Sequence, residues 1–414
     1  MDKSIIQQII LEQKGIFTKD LRIIERPLSE NLFKSPKIVA ITGVRRSGKS
    51  TLLRQISKAY DSYAYLNFED DRLLDFTHSD FNTLIEAFLE LDSKVKTFFF
   101  DEIQVVTGWE RFVRRLFTEG YKLFITGSNA KLLSSEIATS LTGRNLKHEL
   151  FPFSFREYLA FQGFKEKGIY TTAERAAIAS HLNNYALFGG FPEVIATKDR
   201  GELKELYHDI IIKDLIFRFK IRDSKEFREL AMYLISNVGN RISFNNLKNL
   251  LSFSNTSKVK NYIDFMTQAY LFFLISKYDF SIKKQIFNEK KVYAIDTGLV
   301  NSVSFQFSEN KGRIIENLVF LELKRRGGEI FYFSNGGECD FVLRKGAKIV
   351  EAIQVSTSLS DPGTRKREIG GLKAAMGEFG LKEGQIITES HEETIREDGT
   401  TIRIIPLWRF LLGQ

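Results

Sequence analysis

One stretch, Gly43-Val44-Arg45-Arg46-Ser47-Gly48-Lys49-Ser50, constrains this chain more than any other. It fits the phosphate-binding pattern G-x-x-x-x-G-K-S/T in full. The pattern has mechanical meaning only where a strand enters the loop and a helix leaves it. Lys37-Ile38-Val39-Ala40-Ile41 before the loop reads as a buried strand, and Thr51-Leu52-Leu53-Arg54-Gln55-Ile56 after it as a helix. The glycines let backbone N–H groups curl around phosphates, and the helix start adds partial positive charge. Residues 43–51, from Gly43 to Thr51, are therefore the expected ATP cradle. Lys49 is expected to reach the β- and γ-phosphates, and Ser50 to hold Mg2+.

A second motif, Thr97-Phe98-Phe99-Phe100-Asp101-Glu102, is an apolar strand ending in two acids. In nucleotide hydrolysis one acid holds the metal shell and another activates water. Asp101 is assigned to the metal and Glu102 to the base, because both must stand at a strand's carboxyl end beside the loop. A third apolar strand, Tyr121 to Thr126, runs into Gly127-Ser128-Asn129. Asn129 or Ser128 could orient the attacking water; a plain turn of small polar residues is the competing reading.

Bulk properties narrow the rest. A length of 414 residues suggests two to four domains. Cys339 is the lone cysteine, which rules out an intramolecular disulfide and suits a reducing cytoplasm. The five histidines are scattered, which argues against a zinc site. No apolar run approaches the roughly 18 residues of a membrane span. The start shows no basic-then-apolar signal pattern; Ile5, Ile6, Ile9 and Ile10 are spaced like one face of a helix. Net charge is +8, and Lys225 to Lys291 holds eleven Lys/Arg against five Asp/Glu. Such a stretch is either a solvated basic surface or a site for an anionic partner, of which nucleic acid is the usual one.

The pattern divides the chain into four. Residues 1–155 alternate strands (Lys37–Thr42, Tyr63–Phe68, Thr97–Phe100, Lys122–Thr126, Asn145–Phe151) with helices, the α/β signature of a parallel sheet covered on both faces. Residues 156–222 read as a helical lid. Residues 223–300 read as helices followed by a two-stranded ribbon, Leu271–Tyr278 and Lys291–Ile295, which looks like a winged helix. Lys258 and Lys260 would lie on its recognition helix, and Lys283 and Lys284 near the wing. DNA contact is the leading reading, because phosphate attraction supplies most non-specific affinity; docking of a protein partner is the other. Residues 301–414 read as a helix over Gly312–Arg326, then strands at Glu329–Phe333, Cys339–Leu343, Lys348–Val355, Gln385–Thr388 and Thr401–Ile405.

Taken in order, these motifs resemble a bacterial and archaeal family of AAA+-type ATPases with a C-terminal domain of unknown function. The residues that carry the resemblance are Gly43–Thr51, Phe98–Glu102, Thr126–Asn129, Gly143-Arg144, Phe151–Glu157, Gly189–Glu193, Lys213–Arg218, Val292–Gly298 and Glu338–Phe341. The resemblance implies a P-loop AAA+-type parallel sheet with a helical lid, a winged helix, and an α/β restriction-endonuclease-like domain. It also implies ATP and Mg2+ as cofactors and leaves a homo-oligomer open. In AAA+ rings an arginine at the position of Arg144 reaches a neighbour's γ-phosphate; an ordinary loop arginine is the alternative. Active nucleases of the C-terminal fold use an aspartate, an E-x-K triplet and often a helical glutamate. Asp340 and Glu316 match, but the triplet reads Gln354-Val355-Ser356. Glu351 lies three residues earlier, on the opposite strand face. The expectation is a degenerate nuclease site, because metal-assisted phosphoester chemistry needs a complete carboxylate and positioning set. The function expected is a Mg2+-dependent ATPase coupled to a C-terminal, DNA-binding module. An ATP-regulated nuclease and a nucleotide-dependent protein switch are the alternatives.

Overall fold

The computed structural model describes residues 1–19, 24–128, 143–304, 311–397 and 399–414. The chain forms two compact units, Met1–Phe151 with Gln268–Tyr270, and Pro152–Thr267 with Leu271–Gln414.

The first unit is built on five parallel strands: β1 (Ile38–Thr42), β2 (Ala64–Asn67), β3 (Thr97–Asp101), β4 (Lys122–Gly127) and β5 (Asn145–Glu149). Their order is β2-β3-β4-β1-β5. All five match the strands expected from sequence to within two residues at each end. A parallel sheet covered on both faces needs apolar residues on both, and Phe98, Phe99 and Phe100 are each fully buried. Phe98 and Phe100 pack on one side with Ile38, Ala40 and Leu123. Phe99 packs on the other with Val39, Ile41 and Leu52, and stacks on Phe124 at 4.8 Å between ring centroids. The first helix, Lys3–Phe17, is capped by Asp2 and buries Ile6, Ile9, Ile10 and Phe17. Ile5, expected on the same face, is 48% exposed, since the buried stripe runs through Ile6, Ile9, Ile10, Gln13 and Phe17.

The second unit holds a mixed sheet of nine strands: β6 (Arg241–Ile242), β7 (Phe272–Lys277), β8 (Lys290–Ala294), β9 (Glu329–Ser334), β10 (Glu338–Lys345), β11 (Lys348–Val355), β12 (Glu383–Thr388), β13 (Glu393–Glu397) and β14 (Thr400–Pro406). The order is β13-β14-β12-β11-β10-β9-β7-β8-β6. β7 pairs with β9 in parallel. The boundary expected at residue 300 thus crosses a hydrogen-bonded sheet. β6 and β13 are too short or too polar to register as strands in the sequence. Between β7 and β8, where a ribbon tip was expected, the chain forms a helix, Ile282–Phe287, started by the Ser281 side chain.

Two of the family-like motifs meet in this unit. Asp296 accepts the N–H of Leu299 at 3.1 Å, capping the helix Thr297–Val303, and accepts the N–H of Gly190 at 2.6 Å. Burial pushes its carboxyl up to about 6, against those hydrogen bonds. Gly189 stands beside it at φ +77°, where a Cβ would lie 2.0 Å from Asp296 Oδ1.

Candidate functional site

The carboxyl ends of β1, β3 and β4 stand side by side, and β4 separates the other two. This order brings the phosphate loop and the paired acids around the end of β4. Gly43 leaves β1 so close to the neighbouring chain that a Cβ would lie 2.1 Å from the Leu150 carbonyl oxygen. Gly48 opens the helix Lys49–Ser57 at φ +96°, a left-handed conformation that costs glycine nothing. Arg26, which sequence reasoning did not single out, donates to the Phe151 and Ser47 carbonyls at 2.9 and 3.0 Å, bracing the loop from behind.

Lys49 is buried, with its ammonium 3.3 Å from the carbonyls of Gly43 and Val44 and 3.1 Å from Glu102 Oε1. Glu102 sits at φ +50°, a strained conformation for a non-glycine residue. The Ser128 N–H holds its Oε2 at 3.2 Å, and Gln104 donates to the same oxygen. Burial pushes the Glu102 carboxyl up, but the Lys49 charge and the donors outweigh it and hold it below the usual carboxylate range. Glu102 is accordingly ionised.

Asp101 is fully buried. It accepts from Tyr65 at 3.2 Å and from the Thr126 hydroxyl. Burial, then the Glu102 charge, push its carboxyl up against hydrogen bonds from Ser50 and Thr126. A cation beside it would relieve that. The Ser50 hydroxyl and Asp101 carboxylate are hard oxygen donors of the kind Mg2+ takes. Among the described residues no group of three His, Cys, Asp or Glu could hold a metal. The ion would therefore complete its shell from phosphate and water, as Mg2+ usually does.

Thr126 is a residue to which sequence reasoning gave no role in the site. Its hydroxyl donates to Asp101 and accepts the Glu102 N–H at 2.9 Å, tying both acids to the end of β4. A strand that ends in threonine is a weak signal by itself; only the strand order makes it a hinge between two acids. Ser128 is placed as a backbone donor to Glu102, and Asn129 lies outside the described residues. Arg144 is exposed, one residue before β5, and its carbonyl accepts the Ile38 N–H at 2.9 Å.

In the second unit Glu316 and Asp340 share the ammonium of Lys291, and Gln354 hydrogen-bonds Asp340. Asp340 takes the N–H of Val355 at 3.0 Å, and Gln354 Oε1 takes the N–H of Asp340 at 3.1 Å. Ser356 turns its hydroxyl to the Ser358 carbonyl. The triplet itself holds no lysine, but one reaches the site from elsewhere. Lys291, from β8, lies 2.8 Å from Asp340 Oδ1 and 3.0 Å from Glu316 Oε1. Burial opposes its charge, but Asp340 and Glu316 outweigh that and keep the ammonium protonated. Glu368, on the helix Pro362–Phe379, accepts from Gln354 at 2.5 Å. Neither residue is near the triplet in sequence, which is why pattern reading passed over both.

Of the four candidate nucleic-acid lysines, Lys258 is committed elsewhere. It pairs with Asp223 at 2.5 Å and Glu226 at 2.8 Å. Lys260 lies over the Phe244 ring at 5.6 Å. Lys283 and Lys284 sit on the helix Ile282–Phe287 amid exposed Phe280, Ile282, Ile286 and Phe287.

Residues 35–159 match a family model described as an AAA domain, and residues 179–310 match a domain of unknown function, DUF8612. The chain is 39% identical over 434 residues to the uncharacterized protein MJ1544 of Methanocaldococcus jannaschii, covering all of this chain and 96% of that one. It is 30% identical over 332 residues to an uncharacterized protein of Haemophilus influenzae, covering 76% and 81%. Among solved structures, the replication initiator DnaA bound to AMPPCP and single-stranded DNA is similar at 16% identity and a TM-score of 0.26, covering 57% of this chain and 84% of that one. No helix among the described residues is long and apolar enough to cross a membrane. With its AAA domain on an α/β P-loop sheet of AAA+ type and a separate mixed sheet, the chain belongs to the family of MJ1544.

Proposed function

We propose that this protein is a Mg2+-dependent ATPase whose nucleotide state controls a C-terminal module that binds DNA. The observation that carries the first half is the convergence of Lys49, Ser50, Asp101 and Glu102 around one loop, with Glu102 ionised beside Lys49. The loop N–H groups and Lys49 bind the phosphates. Mg2+, held by Ser50 and Asp101, would offset charge on the phosphate oxygens. As Lys49 turns from Glu102 to phosphate, Glu102 keeps its burial and loses its counter-charge. It then becomes a stronger base for the proton of the attacking water. Thr126 keeps the metal acid and the base aligned while this happens. Thr126→Val should therefore lower ATP turnover by about tenfold or more while leaving ATP affinity within about twofold, since alignment acts on rate. Steady-state turnover and equilibrium binding of ATP read this out. An equal loss in both would make Thr126 a folding residue only.

The DNA half rests on the basic stretch and on Lys283 and Lys284. Comparing turnover with and without single- and double-stranded DNA tests the coupling. Lys283→Ala with Lys284→Ala should lower the salt slope of DNA binding by about two units, one for each phosphate contact. Lys258→Ala should change it little, because Lys258 is already paired. The four exposed apolar side chains from Phe280 to Phe287 favour a second reading, in which this helix docks a protein. DNA binding whose slope ignores Lys283 and Lys284 would favour that reading.

A further inference from the structure

The second unit carries an open cleft of about 1130 Å³, somewhat larger than the roughly 300–1,000 Å³ of small-molecule pockets. Its floor is the cluster of Lys291, Glu316 and Asp340, and its rim carries Arg241, Arg313, Lys366 and Arg367. The charges do not cancel. Arg241 pairs with Glu338 at 2.9 Å, Arg367 with Glu368 at 2.6 Å, and Lys291 with the two floor acids. Lys291 alone serves both floor acids, so five cations meet four acids and the lining carries a net charge of +1. Among the described residues Arg313 and Lys366 have no acidic partner. These two cations stand outside any ion pair, and the surplus positive charge of the cavity lies with them. The hydroxyl-bearing residues Thr357 and Thr364 line the same wall. Such a lining suits an anionic ligand rich in acceptors, which describes a phosphate ester.

The floor argues against a divalent ion as the go-between. A metal would need carboxylate oxygens at about 2.0–2.6 Å, in the space between Asp340 and Glu316. The Lys291 ammonium fills that space, 2.8 Å from one oxygen and 3.0 Å from the other. The other Asp340 oxygen is taken by the Val355 N–H at 3.0 Å, and Tyr293 donates to Glu316 at 2.7 Å. An ion entering there would have to displace a lysine that is 4% exposed, leaving a buried ammonium without its acidic partners.

We propose that this cavity binds a phosphate ester without a divalent metal, with Arg313 and Lys366 gripping the phosphate and Lys291 standing where a metal would otherwise sit. The ester could be a free nucleotide or the phosphorylated end of a nucleic-acid strand; both present the same terminal phosphate. The inference does not rest on ATP hydrolysis by the first unit.

The test uses the full chain carrying Lys49→Ala, which weakens the loop as a competing phosphate site. Binding of a fluorescent 5′-phosphorylated oligothymidylate and of its unphosphorylated twin is measured in excess EDTA. Binding of AMP is measured separately by isothermal titration calorimetry, so that it is read whether or not the strand binds. The phosphorylated strand, AMP or both should bind in EDTA, and Arg313→Ala with Lys366→Ala should weaken that binding about tenfold or more. AMP alone binding identifies a free nucleotide, and the strand alone a nucleic-acid end. Thermal unfolding of the double variant, expected to match its parent, excludes a folding defect. A second arm titrates Mn2+ and reads free ion by electron paramagnetic resonance. The chain with Lys291 intact should show no site that Asp340→Asn removes, whereas Lys291→Met should gain one. No binding of either probe in EDTA, binding indifferent to Arg313 and Lys366, or an Asp340-dependent Mn2+ site with Lys291 intact would each overturn the proposal.

Discussion

Glu102→Gln is expected to bind ATP about as well as the unaltered protein and to turn it over roughly 100-fold more slowly or worse, the usual worth of a positioned base. Gln keeps the shape of the side chain and its contact with the Ser128 N–H but cannot take a proton. It also frees Lys49 from its 3.1 Å partner, so ground-state binding should hold or tighten. Lys49→Ala should behave in the opposite way. It removes the buried ammonium that meets phosphate before any reaction, and it takes from Glu102 a charge that holds its carboxyl low. Tight binding is lost, and turnover with it. The contrast separates a group that acts on bound ATP from one that acts on the attacking water. Equilibrium binding of ATP and single-turnover hydrolysis measure the two. Wild-type hydrolysis by Glu102→Gln would remove Glu102 from the role of base.

Gly189→Ala should destabilise the second unit by about 2–5 kcal/mol, from positive-φ strain and overpacking together. The new methyl would lie 2.0 Å from Asp296 Oδ1, and φ is +77°. The carboxylate cannot simply swing away, because it holds the N–H groups of Gly190 and Leu299. Asp296→Ala alone should cost about 1–3 kcal/mol by leaving those donors without a partner. Together the two changes should cost less than their sum, since removing the carboxylate makes room for the methyl. The two tryptophans make the measurement local, because Trp109 lies in the first unit and Trp408 in the second. In a Trp109→Phe background, urea unfolding followed by fluorescence reports the second unit alone. Strict additivity would mean that Gly189 and Asp296 do not touch.

Much of the first unit was legible in the residues. A parallel strand covered on both faces is apolar along nearly its whole length, so the runs Ile38 to Ile41 and Phe98 to Phe100 stand out, and a loop that wraps phosphate needs glycine where a Cβ would collide. Local chemistry of this kind is written in consecutive residues, and it determined the strands, the loop with Lys49 and Ser50, and the paired acids Asp101 and Glu102. Strand order is a property of the packed sheet. It alone set β4 between the loop and the acids and so turned Thr126 from a strand end into their common anchor. The second unit shows the same limit more sharply. Lys291 and Glu368 reach the Glu316 and Asp340 cluster from elements 49 residues away in one case and on a different helix in the other. A charge can be supplied to a buried site from any strand that passes it, because the electrostatic requirement concerns distance in space. Sequence spacing records only which residues are neighbours along the chain; the fold decided that a lysine fills the space between the two acids.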